Sequence, residues 1–365
     1  MNILVSAAAL RTSGARTIYR QFVEHLKTRV DCNHYYILVD KVMEMPEIDG
    51  VKFIVVDTNN KIKRLIFDAF IFKSLVRRYN IFPDVVISLQ NIGLRNFRHL
   101  PQIIYYHQSL PFFDYSWNLF KKDELLMFLY KYLYPFFVKR TIGNKTEIVV
   151  QLPSIKKGLV KKFKVQPNRV HVLFPDTESV DISIFPKYPF DMNMINFVFP
   201  ATGAPYKGHR FLISVMDKVR ILNKSLADRI RIHLTLDEDS SQEMIKVMCE
   251  NGVKENFVFH GVVPHNTLFS MYRGSCGLLF PSVIETLGLP LIEVARFGKP
   301  IIACDLEYAH EVLAGYSGVN FIESRSLDQW ANAICDVAKL QQTFTPLLGN
   351  ERSSWEDFFD LINKL

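Results

Sequence analysis

Several features that define large protein classes are missing from this sequence of 365 residues. Its five cysteines are an odd number, and they lie far apart with no Cys-x-x-Cys pair and no histidine at zinc-ligand spacing. Disulfide frameworks and structural zinc sites need paired or clustered ligands, so the cysteines argue against both and favour a reducing compartment. No Gly-x-Gly-x-x-Gly fingerprint follows a predicted strand, which argues against a dinucleotide-binding dehydrogenase.

Long apolar runs are also missing. The most apolar stretch, residues 125–138, is interrupted by Lys131 and Pro135. It is also shorter than the ~20 residues that a membrane-spanning helix needs. Residues 1–9 are apolar, but no basic residue precedes them and two arginines follow soon after. We interpret them as a buried first strand rather than as a signal peptide, and we expect no segment that crosses a membrane.

The sequence does have the composition of a folded protein. Its residues are 48% hydrophobic and 22% charged, which is enough apolar material to exclude disorder. Because single cores stop growing at about 250–300 residues, this length predicts two domains.

Short β-branched and aromatic runs alternate with helix-length amphipathic segments along the chain. The predicted strands are 3–7, 35–39, 53–57, 84–88, 102–106, 148–151 and 170–174, followed by 195–199, 230–236, 257–260, 277–280, 300–304 and 319–322. Continuous apolar strands that alternate with helices are typical of a parallel sheet covered on both faces. The predicted fold class is α/β, with two doubly wound parallel-sheet domains.

A proline-rich stretch, residues 175–189, separates the two series of strands. We therefore predict one domain over residues 1–175 and a second over 176–350. Residues 351–365 predict a final helix whose aromatic side chains need a surface to cover, and we expect it to pack back on the first domain. Ligands of open parallel sheets bind beyond the carboxyl ends of the strands, so a site is expected in a cleft between the domains.

Basic residues are concentrated in the first half. Residues 1–175 hold 27 Lys and Arg against 13 Asp and Glu, a formal charge of +14, whereas residues 176–365 hold 17 against 24, a charge of −7. A basic half could meet nucleic acid, an anionic membrane surface or a phosphate-bearing substrate. Two basic amphipathic stretches, 61–79 and 155–164, together with the aromatic segment 112–137, favour lipid contact. Ordinary helices with solvated faces would explain either stretch alone.

The densest motif is residues 280–295, Phe-Pro-Ser-Val-Ile-Glu-Thr-Leu-Gly-Leu-Pro-Leu-Ile-Glu-Val-Ala. It predicts a strand end, a tight loop and a helix: Gly288 lets the backbone approach a ligand, and Pro290 suits a first helical turn. The positive end of such a helix suits a diphosphate, and Glu293 is then placed to accept hydrogen bonds from sugar hydroxyls. Glu285 lies in the loop. Two solvated glutamates beside an ordinary strand–helix turn are the alternative interpretation.

With Gly261 upstream and Gly298-x-Pro300 downstream, this motif resembles the donor signature of retaining glycosyltransferases of the GT-B fold. It is most similar to glycosyltransferase family 4, of the bacterial capsule, O-antigen and lipopolysaccharide type. The resemblance implies two Rossmann-like domains that face a central cleft, with a nucleotide-sugar donor bound by the second.

The resemblance also assigns roles within the motif. It implies that Glu293 holds the ribose and that Glu285 lies near the donor sugar. It implies that the loop of Thr286, Leu287 and Gly288 meets the diphosphate through its backbone.

After the predicted strand 195–199, Lys207 matches the family's lysine that neutralises the donor diphosphate. A leaving nucleoside diphosphate gains negative charge as its bond to the sugar breaks, so a fixed ammonium group there stabilises the transition state. The family's arginine is absent, since Ala201 or Thr202 stands in its place. Either Lys207 and Arg210 share its task, or catalysis is impaired.

Two positions of the first half match the family less closely. Gly14 follows the first predicted strand and opens a helix, where the family carries a glycine loop over the diphosphate. His107 ends a predicted strand where the family carries a histidine that contacts the donor sugar; a buried, structurally satisfied histidine is the alternative. Three further strand ends, Asp84, Asn91 and Gln151, are expected only to line the cleft.

The sequence predicts no metal site and no cofactor. Its acidic turn, residues 237–239, is interpreted as solvated, in agreement with the metal-independent donor binding that the resemblance implies. A double displacement would need a carboxylate nucleophile, for which Glu285 is the candidate. The family's proposed front-face mechanism, in which the leaving phosphate takes the acceptor's proton, is favoured instead.

The predicted function is transfer of a sugar from a nucleotide-diphosphate sugar to a lipid-linked saccharide, with retention, in bacterial surface polysaccharide biosynthesis. The expected partners are the donor, the acceptor and an anionic membrane surface that the basic first domain contacts, and not nucleic acid. The expected location is cytoplasmic, peripheral on the inner face of the cytoplasmic membrane. Two alternatives stay open: a catalytically silent GT-B protein that binds nucleotide or glycan, and a nucleotide-sugar epimerase.

Overall fold

A computed structural model describes most of the chain. The described residues are 1–10, 13–29, 31–56, 76–113, 115–120, 124–174, 176, 181–340, 342–348 and 354–365. Contacts divide the chain into two units, the first made of Met1–Asp176 with Asn350–Leu365 and the second of Thr177–Gly349.

The first unit is built on a seven-stranded parallel sheet in the order β3-β2-β1-β4-β5-β6-β7. Its strands are β1 Asn2–Ser6, β2 His34–Asp40, β3 Val51–Val56, β4 Val85–Ser88, β5 Gln102–Tyr106, β6 Thr146–Val150 and β7 Val170–Val172. The helical segments described with it are α1 Ser13–Thr28, α2 Leu125–Phe128, a π-helical turn Leu129–Leu133, α3 Tyr134–Thr141 and α4 Pro153–Phe163. The central strand β1 is apolar on both faces because both faces are covered: Ile3, Leu4 and Val5 are fully buried.

The second unit contains a six-stranded parallel sheet in the order β10-β9-β8-β11-β12-β13. Its strands are β8 Ile195–Phe199, β9 Ile230–Leu234, β10 Phe257–Phe259, β11 Gly277–Phe280, β12 Ile301–Cys304 and β13 Val319–Ile322. Its helices are α5 His209–Leu222, α6 Lys224–Ala227, α7 Gln242–Glu250, α8 His265–Gly274, α9 Leu289–Arg296, α10 Glu307–Val312 and α11 Leu327–Leu340. In both sheets the strand order reverses beside the first strand, at β1/β4 and at β8/β11.

The last helix, α12 Ser354–Asn363, completes the core of the first unit. Trp355 is buried, stacks on Tyr105 with ring centroids 5.7 Å apart, and donates its Nε1–H to Gln21 at 3.1 Å. The backbone N–H of Ser354 donates to a carboxylate oxygen of Asp176 at 2.8 Å. This contact joins the start of the helix to the last residue of the first segment of the unit.

The structure describes the second basic stretch in full and the first only in part. Residues 61–75 of the first stretch lie outside the described residues. The second forms α4, whose Ile155, Leu159 and Phe163 are buried, and Lys162 donates to the carbonyl oxygen of Pro111 at 2.9 Å. The apolar face of α4 is therefore part of the core and is not available to lipid, so α4 is an ordinary amphipathic helix. None of the described helices is both long enough and apolar enough to span a bilayer.

A chain of buried hydrogen bonds connects β8, β9 and the end of β10. The amide nitrogen of Asn196 donates to two backbone carbonyls, so its Oδ1 accepts the Nε2–H of His233 at 2.9 Å. His233 Nδ1 then accepts from His260 Nε2 at 2.8 Å. Burial, together with the nearby His260 and Arg231, lowers the pKa of His233 to about 3. The folded protein therefore holds His233 neutral.

Replacing Trp355 by alanine should destabilise the first unit by about 3–5 kcal/mol, because it opens a cavity beside Tyr105 and removes the hydrogen bond to Gln21. Urea unfolding followed by circular dichroism measures the loss. Leu348→Ala is the control, since Leu348 is 86% exposed and should change stability little. Equal stability of Trp355→Ala and wild type would contradict the anchoring role.

Stability should fall as the pH is lowered below about 6.5, because the unfolded chain binds a proton at residue 233 while the folded chain does not until about pH 3. The free energy of unfolding of wild type should therefore fall by about 1.4 kcal/mol per pH unit more than that of His233→Gln. Unfolding titrations between about pH 6 and 4.5 test this slope. Leu348→Gln, at a position that does not titrate and is 86% exposed, is the control and should keep the wild-type slope.

Candidate functional site

The two motifs of the second unit lie on neighbouring loops. One loop follows β8 and the other follows β11, and these strands pair directly, with Leu278 opposite Val198. The strand order reverses at this pair, and such a switch point opens a crevice at the carboxyl ends of the strands where ligands of parallel sheets bind.

Backbone contacts hold the two loops together. The N–H of Val283 donates to the carbonyl oxygen of Tyr206 at 2.9 Å. Gly208 has a φ of +86°, and a Cβ atom there would lie 2.6 Å from the carbonyl oxygen of Pro281. Glycine is therefore required at this position, both by the backbone conformation and by the closeness of the second loop.

An ion pair joins the two loops at their tips. Lys207, in the 3₁₀ turn Pro205–Lys207, places its Nζ 2.5 Å from Oε1 of Glu285. Only 16% and 12% of these two side chains are exposed, so little water screens the pair. Burial and the nearby Glu285 raise the pKa of Tyr206. Two of the three residues predicted as catalytic thus lie in direct contact.

Helix α9 begins at the end of the second loop. Gly288 precedes it with a φ of +72°, and Pro290 occupies its first turn. Among the described residues, no backbone carbonyl accepts the N–H groups of Leu287 and Gly288. Thr286 lies in the same loop. Unsatisfied N–H groups at a helix N-terminus are the arrangement that binds phosphate.

Glu293 lies on α9 and is held by residues of α8. The hydroxyl of Tyr272 donates to its Oε2 at 2.9 Å, and His265 Nε2 lies 3.4 Å from its Oε1. Tyr272 is fully buried, and burial beside Glu293 raises the pKa of its hydroxyl. Tyr272 could not be identified from the sequence, because its position on an amphipathic helix has the spacing of an ordinary core residue.

Arg210 is not brought to this ion pair. Its guanidinium lies 3.4 Å from Glu243, and both side chains are strongly exposed. Next to it, His209 is buried, and that burial with the nearby Lys207 lowers the pKa of His209 to about 4. The role of Arg210 in donor binding stays a prediction.

In the first unit, His107 follows β5 and Gly14 lies in the first turn of α1. Asn91, after β4, accepts the backbone N–H of His107 at its Oδ1, so its amide nitrogen faces His107 Nε2 at 3.2 Å. His107 Nε2 therefore accepts a hydrogen bond, and its ring proton is on Nδ1. Desolvation lowers the pKa of His107 to about 4, which keeps the ring neutral. Asn91, expected only to line a cleft, orients this ring.

Two other features were considered as sites. Within the described ranges, no group of three or more histidine, cysteine or carboxylate side chains is arranged to hold a metal ion. A cavity of about 800 Å³ lies along the edge strand β13 and α11. None of the predicted site residues lines it, so we place the candidate site at the two loops, where the reactive groups converge.

Comparisons with known proteins find related sequences and folds. Residues 195–339 match the family model of glycosyl transferases, group 1. The O-antigen chain mannosyltransferase RfbU of Salmonella typhimurium is 23% identical over 213 residues, which cover 58% of this chain and 57% of that protein. The chain spans about half the length of the curated relatives it matches, between 47% and 57%.

Solved structures share the fold over almost the whole chain. WaaG, a glycosyltransferase involved in lipopolysaccharide biosynthesis, has a TM-score of 0.67 and 14% identity, over 93% of this chain and 90% of that chain. HepE from Anabaena, in complex with UDP and glucose, has a TM-score of 0.62 and 13% identity over 100% of both chains. The predicted fold class, two parallel-sheet α/β domains as in GT-B glycosyltransferases, is confirmed.

Replacing Tyr272 by phenylalanine should weaken binding of a nucleoside diphosphate about tenfold, because Glu293 loses the hydrogen bond that fixes its carboxylate while the ring stays packed. Isothermal titration calorimetry of UDP, GDP and ADP measures the change. Tyr316→Phe is the matched control, since the Tyr316 hydroxyl also donates one hydrogen bond, but to the backbone carbonyl of Lys299 and not to Glu293. Equal weakening by both variants would contradict a specific role for Tyr272.

Proposed function

We propose that this protein is a glycosyltransferase that moves a sugar from a nucleotide-diphosphate sugar onto a lipid-linked saccharide. The observation that carries the proposal is the contact between Lys207 and Glu285 at the switch point, one loop away from the N-terminus of α9. The match of residues 195–339 to the glycosyl transferase model covers the same loops.

The donor would be held by its diphosphate and its ribose. The N–H groups of Leu287 and Gly288, which donate to no backbone carbonyl of the described residues, offer hydrogen bonds to one phosphate, and the positive end of α9 adds to the attraction. Glu293, fixed by Tyr272, is positioned to accept hydrogen bonds from ribose hydroxyls. HepE, a protein of the same fold, binds UDP and glucose, which supports a donor of this class.

Lys207 would supply the main electrostatic stabilisation. As the bond between the sugar and the diphosphate breaks, the leaving phosphate gains negative charge. A poorly hydrated ammonium group therefore stabilises the transition state more than it stabilises the bound donor. Because Glu285 already pairs with Lys207, donor binding would replace or extend an existing ion pair rather than create a buried charge.

The stereochemical course is proposed to be retention by a front-face reaction. The acceptor hydroxyl attacks the anomeric carbon from the side that the diphosphate leaves, and the departing phosphate oxygen takes its proton. In this scheme Glu285 positions Lys207 and the donor sugar instead of acting as a nucleophile. Contact of His107 with the donor sugar and closure of the Gly14 turn over the diphosphate are parts of the same proposal.

Two relatives support a role in surface polysaccharide assembly. RfbU acts in O-antigen chain synthesis and WaaG in lipopolysaccharide biosynthesis. A lipid-linked acceptor at the inner face of the cytoplasmic membrane would fit the basic first half of the sequence. Membership of glycosyltransferase family 4 is part of the same proposal. Donor binding without a metal ion is also part of it, since Lys207 and the N-terminus of α9 can balance the diphosphate charge.

The proposal is tested first by finding the donor. Thermal-shift measurements with UDP, GDP, ADP, CMP and dTDP should give one responding ligand, because a ligand at a hundredfold excess over its Kd stabilises the folded state by about 2.7 kcal/mol. EDTA should leave this response unchanged.

With the matching nucleotide sugar, Lys207→Met should lower kcat/KM by about 100–1,000-fold, since it removes the charge that opposes the leaving phosphate. Glu293→Gln should mainly raise KM. Lys218→Met is the control, because Lys218 lies on α5 but pairs with Asp328. Initial rates of nucleoside diphosphate release measure all three, and wild-type turnover in Lys207→Met would reject this site.

A catalytically silent binding protein is the second candidate. It is favoured by two observations: Ala201 and Thr202 stand where the family carries its arginine, and Arg210 pairs with Glu243 instead of Glu285. Tight nucleotide binding without turnover on any donor and acceptor would support it.

A further inference from the structure

An apolar helix face lies exposed on the first unit. It is formed by the continuous segment of α2, the π-helical turn and α3, residues 125–141. Seven large side chains of this segment are between 38% and 51% exposed: Leu125, Leu126, Leu129, Tyr132, Leu133, Phe136 and Phe137. We call these seven side chains the leucine–aromatic face. Soluble proteins rarely expose a contiguous apolar surface of this kind without a partner for it.

The opposite side of the segment is fixed to the core, so the exposure is not a result of a loose helix. Pro135 and Val138 are buried there. Lys131, in the π-helical turn, is also buried, and its Nζ donates to the carbonyl oxygens of Phe113 and Tyr115, each at 2.6 Å. A lysine that would otherwise interrupt an apolar surface thus points inward, and the face it leaves outside is continuous.

Cations border this face. Lys139, Arg140 and Lys145 are exposed at its C-terminal end, and the Arg140 guanidinium lies 4.0 Å from the centroid of the Phe136 ring. Between residues 124 and 145, the described carboxylate is Glu124 at the opposite end, which accepts the backbone N–H of Asn118. An apolar stripe with a basic border has the chemistry of a helix that lies in the interface of an anionic bilayer.

The charge pattern argues against a second copy as the occupant. A parallel pairing of this face with itself would bring two cationic borders together, and an antiparallel pairing would offer each border of three cations only Glu124, which already accepts the N–H of Asn118. Anionic lipid headgroups supply those counter-charges, and the acyl region receives the leucine and aromatic side chains. Aromatic side chains are also favoured at the level of the headgroups.

We propose that the leucine–aromatic face inserts into the surface of an anionic membrane and that Lys139, Arg140 and Lys145 contact its headgroups. The purpose of this docking, access to a lipid-linked acceptor, rests on the proposed function. The docking itself needs neither donor nor acceptor, so it can be measured separately.

The test is binding of the full chain to vesicles of phosphatidylcholine mixed with phosphatidylglycerol, followed by sedimentation. The triple variant Leu129→Gln, Leu133→Gln, Phe136→Gln should reduce partitioning into the vesicles on the order of 100-fold. It replaces three apolar side chains whose transfer from water into the membrane favours binding. The matched control Val42→Gln, Val55→Gln, Phe82→Gln replaces three apolar side chains of the same unit that are at least 51% exposed and should bind as wild type.

A charge variant separates the two parts of the interaction. Lys139→Gln with Arg140→Gln should lower binding to the anionic vesicles roughly 25-fold at low salt and should leave weak binding to pure phosphatidylcholine unchanged. Equal loss on both kinds of vesicle would reject the headgroup contacts.

Insertion can also be followed without removing the apolar face. Phe136→Trp should be quenched by brominated lipids, whereas Phe82→Trp should not. This readout keeps the proposal testable even if the triple variant folds poorly.

Three results would overturn the proposal: failure of wild type to bind anionic vesicles, wild-type binding by the triple variant, or self-association of wild type that the triple variant abolishes. The last would make the face an interface between copies. Transfer to a lipid-linked acceptor dissolved in detergent, without vesicles, separates the two proposals. Absence of this transfer in wild type rejects the proposed function, while vesicle binding still decides the docking.

Discussion

The parallel pairing of β8 with β11 is the constraint on which the candidate site depends. Because all strands of the second sheet run in one direction, the loops that follow these two neighbours emerge at the same edge, although 78 residues separate Lys207 from Glu285. Gly208 then allows the loops to approach until backbone meets backbone at Pro281. An ammonium group, a carboxylate and the N-terminus of α9 are thereby brought together at one edge of the second sheet.

Buried polar pairs recur through the molecule, and each fixes a group that could otherwise move. Tyr272 holds Glu293, Asn91 holds His107 in one tautomer, and Lys131 ties a helix to the loop before it. Such pairs cost desolvation, so they are weak sources of stability. Their effect is to define geometry: a carboxylate or an imidazole with one permitted orientation needs no reorganisation when a ligand arrives.

The strands could be predicted from the sequence because strands that are buried on both faces have continuous apolar sequences. The predicted run 170–174 is longer than β7, which ends at Val172, although the N–H of Leu173 still donates to Val150 of β6. The loops of Lys207 and Glu285 could be predicted from motif spacing, but their contact could not, because it depends on tertiary approach. Neither the role of Tyr272 nor the burial of Lys131 could be predicted. Tyr272 has the spacing of an ordinary core residue, whereas the backbone carbonyls that accept from Lys131 are brought to it only by the tertiary fold.

The return of α12 to the first unit has a consequence for synthesis. Phe22 and Tyr105 are covered by Trp355 and Phe358, which lie at the far end of the chain. The contact between Asp176 and Ser354 spans 178 residues, and at 5–20 residues per second a ribosome needs roughly 10–35 s to make that interval. During that time the first unit is a nascent domain with an uncovered aromatic surface, which makes it a natural client for chaperones while the second unit is still being translated.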